Sequence, residues 1–315
     1  MMEQVVVGID VSKAKLDIAV LPSGEQLTVS NDRNGITRLV QRLKPLVPTR
    51  VVLEATGKLE RLAVSELAGA GLAVVVVNPG RVRHYAKARG QRAKTDPIDA
   101  RLIAEFARDL EPECHPLPDA DTVELAALCQ RRHQLLEMQQ METNRLARGE
   151  RTTRKSIQAT LRFLQRELKQ VEREIERRIK DSPIWQTKSE LLASMKGIGA
   201  TSCSALLAWL PELGQCSRQK ICALVGVAPY DDDSGEWHGR RHIAGGRSAV
   251  RRVLYMATLS AVRHNPDLHA YYQRLRDRGV TPKAALIAAL RKMLAILNAM
   301  LRDNTPWRPL CPTPA

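Results

Sequence analysis

Five short strand-like runs in the first 77 residues constrain this chain more than any other feature. Gln4 to Asp10 (QVVVGID) is an apolar run that closes on a carboxylate, and Leu16 to Val20 (LDIAV) repeats the strand pattern after a short turn. Residues 26–30 can supply a third strand, and Val51 to Glu54 and Ala73 to Val77 supply two buried ones. Runs this short, bounded by turn residues, read as strands. Amphipathic helical stretches at about 35–44 and 59–70 fall between them, the second closed by Gly69 and Gly71. Three strands in succession, then alternating helix and strand, predict a mixed α/β sheet.

The pattern breaks at 79–95, a predicted loop holding Arg81, Arg83, Lys87, Arg89, Arg92 and Lys94. A helix is expected from the TDPIDA segment to about Asp109, and the Pro-rich 112–118 reads as a linker. From about 121 to 181 the pattern is helical, with Asp121 and Glu124 at capping-box spacing. Ile157, Leu161, Leu164, Leu168, Val171 and Ile175 repeat at 4-3-4-3-4 spacing, the signature of a coiled-coil seam. The basic segment 145–155, with Gly149 inside it, predicts a bend between two long helices. A coiled coil of this length serves assembly, or else folds back as an intramolecular hairpin. Residues 188–315 are expected to be mostly helical, with a glycine-rich hairpin at 196–199, a polar loop at about 230–246 and helices at 247–264 and 282–302. The resulting division is 1–111, 112–185 and 186–315, consistent with a length of 315 residues and domains of about 150.

Charge narrows the class of partner. The chain carries 49 Lys and Arg against 34 Asp and Glu, a formal net charge of +15. That balance and a pI near 9.9 favour a phosphate backbone as partner. Aromatics are only 3 %, too few for a base-stacking platform. No uninterrupted run of 18 apolar residues occurs, and the first apolar stretch carries Asp10, so neither a membrane span nor a secretory signal is expected. Six cysteines without a CxxC pair or zinc-ligand spacing read as reduced thiols of a cytoplasmic protein.

Four carboxylates stand out. Asp10 and Glu54 each end a predicted strand, and carboxylates at the ends of adjacent strands converge. Asp96 and Asp99, three apart at a helix start, share one helix face. Four hard oxygen donors suit Mg²⁺ or Mn²⁺, and two such ions could clamp the attacking and leaving oxygens of a phosphodiester. The plainer reading also stands: Asp96 before Pro97 is a natural N-cap with Asp99 at N3, and Glu54 could simply mark a strand's polar end. The basic segment 81–94 immediately before Asp96 favours the phosphate reading.

Lys196-Gly197-Ile198-Gly199 between two apolar helices looks like a helix-hairpin-helix, whose glycines let backbone N–H groups approach a phosphate. A tight turn packing two helices accounts for the same residues. By itself DDDSGEW (231–237) reads as an exposed turn, since a serine hydroxyl is a poor nucleophile without activation. Arg240, Arg241 and Arg247 follow and could neutralise a phosphate, with Arg251, Arg252 and Arg263 extending the basic face. Ser248 is better explained as an N-cap, and His238 and His242 have no evident role.

In order and at matching separations, GIDVSKAKLD, LEATG, NPGRVRHYAKARGQRAKTDPIDARLIAEFAR, GIGATSCSALLAWL and VGVAPYDDDSG resemble the DEDD transposases of insertion-sequence family one hundred and ten, relatives of the pilin-gene invertases. The resemblance runs from about residue 5 to about 300. It implies an RNase H-like, resolvase-like amino-terminal domain with Asp10, Glu54, Asp96 and Asp99 as the metal-binding tetrad. It also implies a carboxy-terminal transposase domain in which Ser234, in Asp233-Ser234-Gly235, is the nucleophile. The family is thought to recombine DNA through a phosphoserine intermediate, guided by a structured bridge RNA. Expected partners are therefore double-stranded DNA, a non-coding RNA and further copies of the chain, in a dimer or tetramer and without a membrane. Nucleic-acid contacts are expected at Lys13, at the cations of 81–94, at Lys196, Gly197 and Gly199, and at Arg240, Arg241, Arg247 and Arg251. Rival readings are a metal-only resolvase-like nuclease, a non-catalytic nucleic-acid-binding assembly protein and, more distantly, an actin-like ATPase.

Overall fold

The computed structural model describes residues 4–57, 59–90, 96–114, 119–230, 233–234, 237–238 and 242–309, with backbone alone at 96–98, 233–234 and 237–238. The chain divides into two compact units, 1–117 and 118–315.

The first unit is built on five strands: β1 (Val6–Val11), β2 (Lys15–Leu21), β3 (Glu25–Ser30), β4 (Arg50–Glu54) and β5 (Val74–Val77). Their order in the sheet is β3-β2-β1-β4-β5. The β1–β2 and β2–β3 pairs are antiparallel, whereas β1–β4 and β4–β5 are parallel. This mixed order is the arrangement expected of an RNase H-like domain. The short connections follow from turn chemistry: the Ser12 Oγ donates to the Lys15 carbonyl at 2.8 Å, closing the β1–β2 turn.

Strand alternation assigns the two faces. Val7, Ile9, Leu16, Ile18, Val51 and Leu53 pack on one side against α1 (Arg33–Leu43) and α2 (Arg61–Gly69). Val6, Ala19, Val52, Val75 and Val77 pack on the other against α3 (Pro79–Ala88) and α4 (Asp96–Leu110). Gly8 is the closest approach of strand and helix. A Cβ there would lie 2.3 Å from the Ala100 carbonyl oxygen and 2.3 Å from the Ala104 amide nitrogen, so α4 rests its backbone directly on β1.

The predicted loop at 79–95 is corrected in part, because residues 79–88 form α3. Asn78 caps it by accepting from the Gly80 N–H at 2.7 Å, and Pro79 takes the first helical position. The basic residues there had masked an N-cap and Pro signal.

The second unit opens with two long helices, α5 (Ala120–Arg148) and α6 (Arg151–Asp181). Arg178 pairs with Glu124 and Arg132 with Glu172, each at its shortest within 2.8 Å, so the helices run antiparallel about Gly149. The seam residues Leu164 and Ile175 are buried, with Ile175, Val171 and Ile179 packed beside Leu125 and Cys129 of α5. The cap of α5 is Asp119, whose carboxylate accepts from the Thr122 N–H at 2.7 Å. The expected capping box at Asp121 and Glu124 therefore starts two residues too late, and Asp121 sits in the first turn.

The hairpin packs on α8 (Ala200–Trp209) through Leu207 and Ala208. Around it lie α7 (Pro183–Ala193), α9 (Arg218–Val225), α10 (Ser248–His264), α11 (Pro266–Asp277) and α12 (Pro282–Arg302). Helix α11 was not anticipated; Asn265, which caps it, and Pro266 at its first position carry the signal. The cap of α10 is Arg247, so Ser248 is the first helical residue and not the N-cap. Within 229–243 lie β6 (Pro229–Tyr230), β7 (Asp233–Ser234), β8 (Trp237–His238) and β9 (His242–Ile243), paired β6–β9 and β7–β8. By length and composition α12 could cross a membrane. Leu290, Met293, Leu294, Leu297 and Met300 of α12 are instead buried in the core of this unit. The described cysteines are unpaired thiols, and burial pushes that of Cys129 up to about 11.

Candidate active site

Asp10 and Glu54 are neighbours by register. Val6–Arg50, Val7–Val51, Gly8–Val52 and Ile9–Leu53 are partners across the parallel β1–β4 pair, and the two carboxylates are the next residues on each strand. Parallel strands lie about 4.8 Å apart, and residues in step on them share a face. Asp10 is two residues beyond Gly8 and Glu54 two beyond Val52, so both project on the side covered by α4.

The direction of α4 brings a third carboxylate to the same end. Arg50 begins β4, and its guanidinium pairs at 3.2 Å with Glu111, immediately after α4. The carboxyl end of α4 therefore lies over the amino ends of β1 and β4, and its amino end over their carboxyl ends. Asp99 is in that amino-terminal turn, next to Ala100, which meets Gly8. Asp10, Glu54 and Asp99 are all half-buried. The side chain of Asp96, one helical turn earlier, lies outside the described residues.

A further carboxylate was missed at the sequence level. Asp17 stands directly opposite Asp10 in the antiparallel β1–β2 pair and faces the same side as Ala19. It is only 5 % exposed. It accepts from the Thr28 hydroxyl at 2.6 Å and pairs with the Lys15 ammonium at 3.0 Å. The signal was present in LDIAV, where the alternation calls for an apolar residue and supplies an acid.

As a donor set, Asp10, Glu54 and Asp99 offer hard carboxylate oxygens on one face, the chemistry that Mg²⁺ or Mn²⁺ requires. Among the described residues no three Asp, Glu, His or Cys side chains close around one point as they stand. The carboxylates therefore fit a divalent ion in donor chemistry and share one face, without forming a closed ligand set among the described residues.

The expected nucleic-acid residues have differing surroundings. Lys13 is exposed in the β1–β2 turn, three residues past Asp10. On α3, Arg83 and Lys87 are exposed, and the Arg81 guanidinium lies 5.4 Å from the Phe106 ring centre. Arg89 is engaged by the Tyr85 hydroxyl at 2.8 Å and by Glu105 at 3.1 Å. Asp109 is held below the usual carboxylate range, first by a hydrogen bond from Arg108 and then by the Tyr85 hydroxyl. Burial and that same bond push Tyr85 up. Arg92 and Lys94 lie outside the described residues.

In the second unit Ser234 sits on β7, paired with Trp237 across a two-residue ribbon. Arg240 and Arg241 lie outside the described residues. Arg247 forms a bidentate pair with Glu212 at 2.5 and 2.6 Å, and Arg251 donates to the carbonyls of Val225, Gly226 and Gly245. Both are therefore tied to their own unit. Gly197 has φ +104°, and a Cβ there would meet the Cβ of Ala261 at 2.4 Å, so this glycine is required for packing on α10. Gly199 is exposed at the cap of α8 with nothing within 4 Å of its missing Cβ, beside the exposed Lys196. Lys196 and Gly199 are the exposed residues of the turn.

A family model for IS110-type DEDD transposases matches residues 7–149, and one for transposases of the IS116/IS110/IS902 family matches 189–273. The pilin gene-inverting protein of Moraxella lacunata is 27 % identical over 321 residues, spanning 97 % of this chain and 98 % of that protein. The 43.6 kDa protein of insertion element IS110 from Streptomyces coelicolor is 30 % identical over 119 residues, 37 % of this chain and 29 % of that protein. Among solved structures, RuvC of T. thermophilus in complex with a Holliday junction substrate covers 34 % of this chain and 96 % of its own. It does so at 18 % identity and a TM-score of 0.25, too loose a superposition to carry an argument. The first matched segment contains Asp10, Glu54, Asp96 and Asp99 and the second contains Ser234, and the chain belongs to the IS110 family of DEDD transposases.

Proposed function

We propose that this transposase cuts and rejoins DNA with two centres, the carboxylate face of Asp10, Glu54, Asp96 and Asp99 and the nucleophile Ser234. The observation that carries the reading is the placement of Asp10 and Glu54 in step on parallel strands, under the amino-terminal turn of α4 that bears Asp99.

The four carboxylates hold a divalent ion, Mg²⁺ in the first instance. When bound, such an ion neutralises phosphate charge and favours an ionised nucleophile. The Ser234 Oγ attacks phosphorus, forming a P–Oγ bond while the P–O3′ bond breaks. The serine proton ends on the departing 3′ oxygen, leaving a 5′-phosphoserine link and a free 3′-hydroxyl. After strand exchange a 3′-hydroxyl attacks the link, restoring the phosphodiester and the serine. Lys13, Arg83 and Lys87 are exposed near or on the elements that bear the carboxylates, and they supply charge for holding the DNA backbone.

A bridge RNA chooses the DNA partners, and copies of the chain assemble through the α5–α6 hairpin. Support for assembly is local: Met138, Met141 and Phe163 on the hairpin are each at least 41 % exposed.

A covalent-trapping assay tests the reading. Protein co-expressed with the DNA flanking its gene, purified with bound RNA, is incubated with element-end DNA and Mg²⁺ and then denatured. The expected result is a protein–DNA adduct that disappears in Ser234→Ala. Cleavage without an adduct, unchanged by Ser234→Ala, would replace this reading with a metal-only nuclease.

A further inference from the structure

Helix α6 carries a second pattern on the side opposite its apolar seam. At about 100° per residue, Lys155, Arg162, Arg166, Lys169, Arg173 and Lys180 fall within about 40° of a single direction along the helix. Leu164 and Ile175, buried against the rest of the unit, point the opposite way. The carboxylates of the same stretch, Glu167, Glu172, Glu174 and Glu176, all fall outside the strip. All six cations are exposed, and none has a salt-bridge partner among the described residues. By contrast Arg177, inside the strip, is held by Glu174 and Asp181, and Arg178, outside it, by Glu174 and Glu124.

The arrangement opposes helix stability. Arg162 with Arg166, and Lys169 with Arg173, are like charges four residues apart, and Arg166 with Lys169 three apart, spacings at which side chains repel. A ligand with matching negative charge removes that repulsion. From Lys155 to Lys180 the strip runs about 37 Å at 1.5 Å per residue, much longer than any small anion. Its apolar face is turned to α5, so it offers nothing to insert into a lipid surface. A regular array of phosphates fits this length, sign and straightness.

We infer that the outer face of α6 is a docking surface for the backbone of double-stranded DNA, bound without regard to sequence. The inference uses the DNA-recombination reading only for the kind of ligand. Its test is read without Mg²⁺ and without cleavage, so failure of the serine chemistry and failure of this surface are distinguishable.

The test compares full-length protein with Arg162→Gln/Arg166→Gln/Lys169→Gln/Arg173→Gln, a change that keeps helix-forming side chains. The control, Arg33→Gln/Arg38→Gln/Lys44→Gln/Arg61→Gln, removes the same charge from exposed positions on or beside α1 and α2, which cover the sheet face away from Asp10. Binding to a labelled 40-base-pair scrambled DNA duplex, and to its RNA counterpart, is measured in EDTA across a salt series. For DNA, the slope of log affinity against log salt should fall by about 3 to 4 in the α6 variant, at about 0.9 for each phosphate no longer neutralised, and little in the control. A loss confined to the RNA duplex would overturn the proposal. Arg162→Lys/Arg166→Lys/Lys169→Arg/Arg173→Lys should restore binding, which separates charge from misfolding. Equal losses in the α6 and control variants, or an unchanged slope, would overturn the proposal.

Discussion

The two regions proposed to do chemistry are built in opposite ways. Asp10 and Glu54 are placed by a five-stranded sheet whose register fixes which residues are neighbours and which face they share. Ser234 stands on a two-residue strand paired with another two-residue strand, an element too short to fix anything by itself. Carboxylates that define a site by geometry need a rigid frame, whereas a nucleophile that must reach a phosphate is served by a small, adjustable one. The same contrast appears among the arginines: Arg247 and Arg251 hold the ribbon's base to its unit, while Arg162, Arg166 and Arg173 of α6 face solvent.

The largest effect that could break the comparison is at Asp10. Asp10→Asn keeps the side-chain shape, so the fold and duplex binding should survive. Strand cleavage should drop about a thousandfold or more, the several kcal/mol attached to charge stabilisation at phosphorus. Parallel measurements of cleavage and binding check this, and loss of both together would make Asp10 structural.

Next comes the frame itself. Gly8→Ala puts a methyl group into the backbone of α4 and should destabilise the first unit by about 3 kcal/mol. Gly197→Ala should do the same to the second unit through Ala261 and through its φ of +104°. Hydrogen exchange resolves the two units. Protection lost within the first unit, α4 included, in the first variant, and within the second unit, α8 and α10 included, in the second, is the expected pattern.

A smaller effect concerns the hairpin. Leu164→Ala removes a side chain only 3 % exposed and should cost about 2 to 3 kcal/mol in thermal unfolding. Phe163, 49 % exposed on the same helix, should cost little in stability as Phe163→Ser while weakening self-association in sedimentation if copies pair there.

The smallest is at the cap of α5. Asp119→Ala should cost about 1 kcal/mol. The Thr122 N–H holds the Asp119 carboxyl below its ordinary value. Its stabilisation is therefore complete above the unfolded carboxylate pKa and disappears as the pH falls through the lowered one. Acid unfolding curves should lose that limb in Asp119→Ala, and Asp119→Asn should keep the cap but not the pH dependence.

Much of the first unit was legible because its signals are local and periodic. LDIAV and VVLE declare strands by composition, and a carboxylate at the end of an apolar run declares a polar rim. What stayed hidden depends on pairing. No spacing in the chain says that Asp17 stands opposite Asp10, because that relation exists only once β1 and β2 are in register. The basic residues of 81–89 were visible, but the helix they ride on is set by Asn78 and Pro79, which precede them. Arg247 read as a cation that could neutralise a phosphate because its partner Glu212 lies 35 residues away in the sequence. Gly197 read as a phosphate turn because the helix it packs against, α10, starts some 50 residues later.

The contact between Gly8 and α4 bears on how such a site is inherited. Strand and helix meet backbone to backbone there, so the gap between the strand-borne and helix-borne carboxylates is set by main-chain atoms. Main-chain atoms do not mutate. As long as positions 8, 100 and 104 stay small and the buried Ile103 and Phe106 stay apolar, the exposed side chains of α4 can drift without changing that gap. Lineages that share little sequence can then keep the same spacing between strand-borne and helix-borne carboxylates while their outer surfaces diverge.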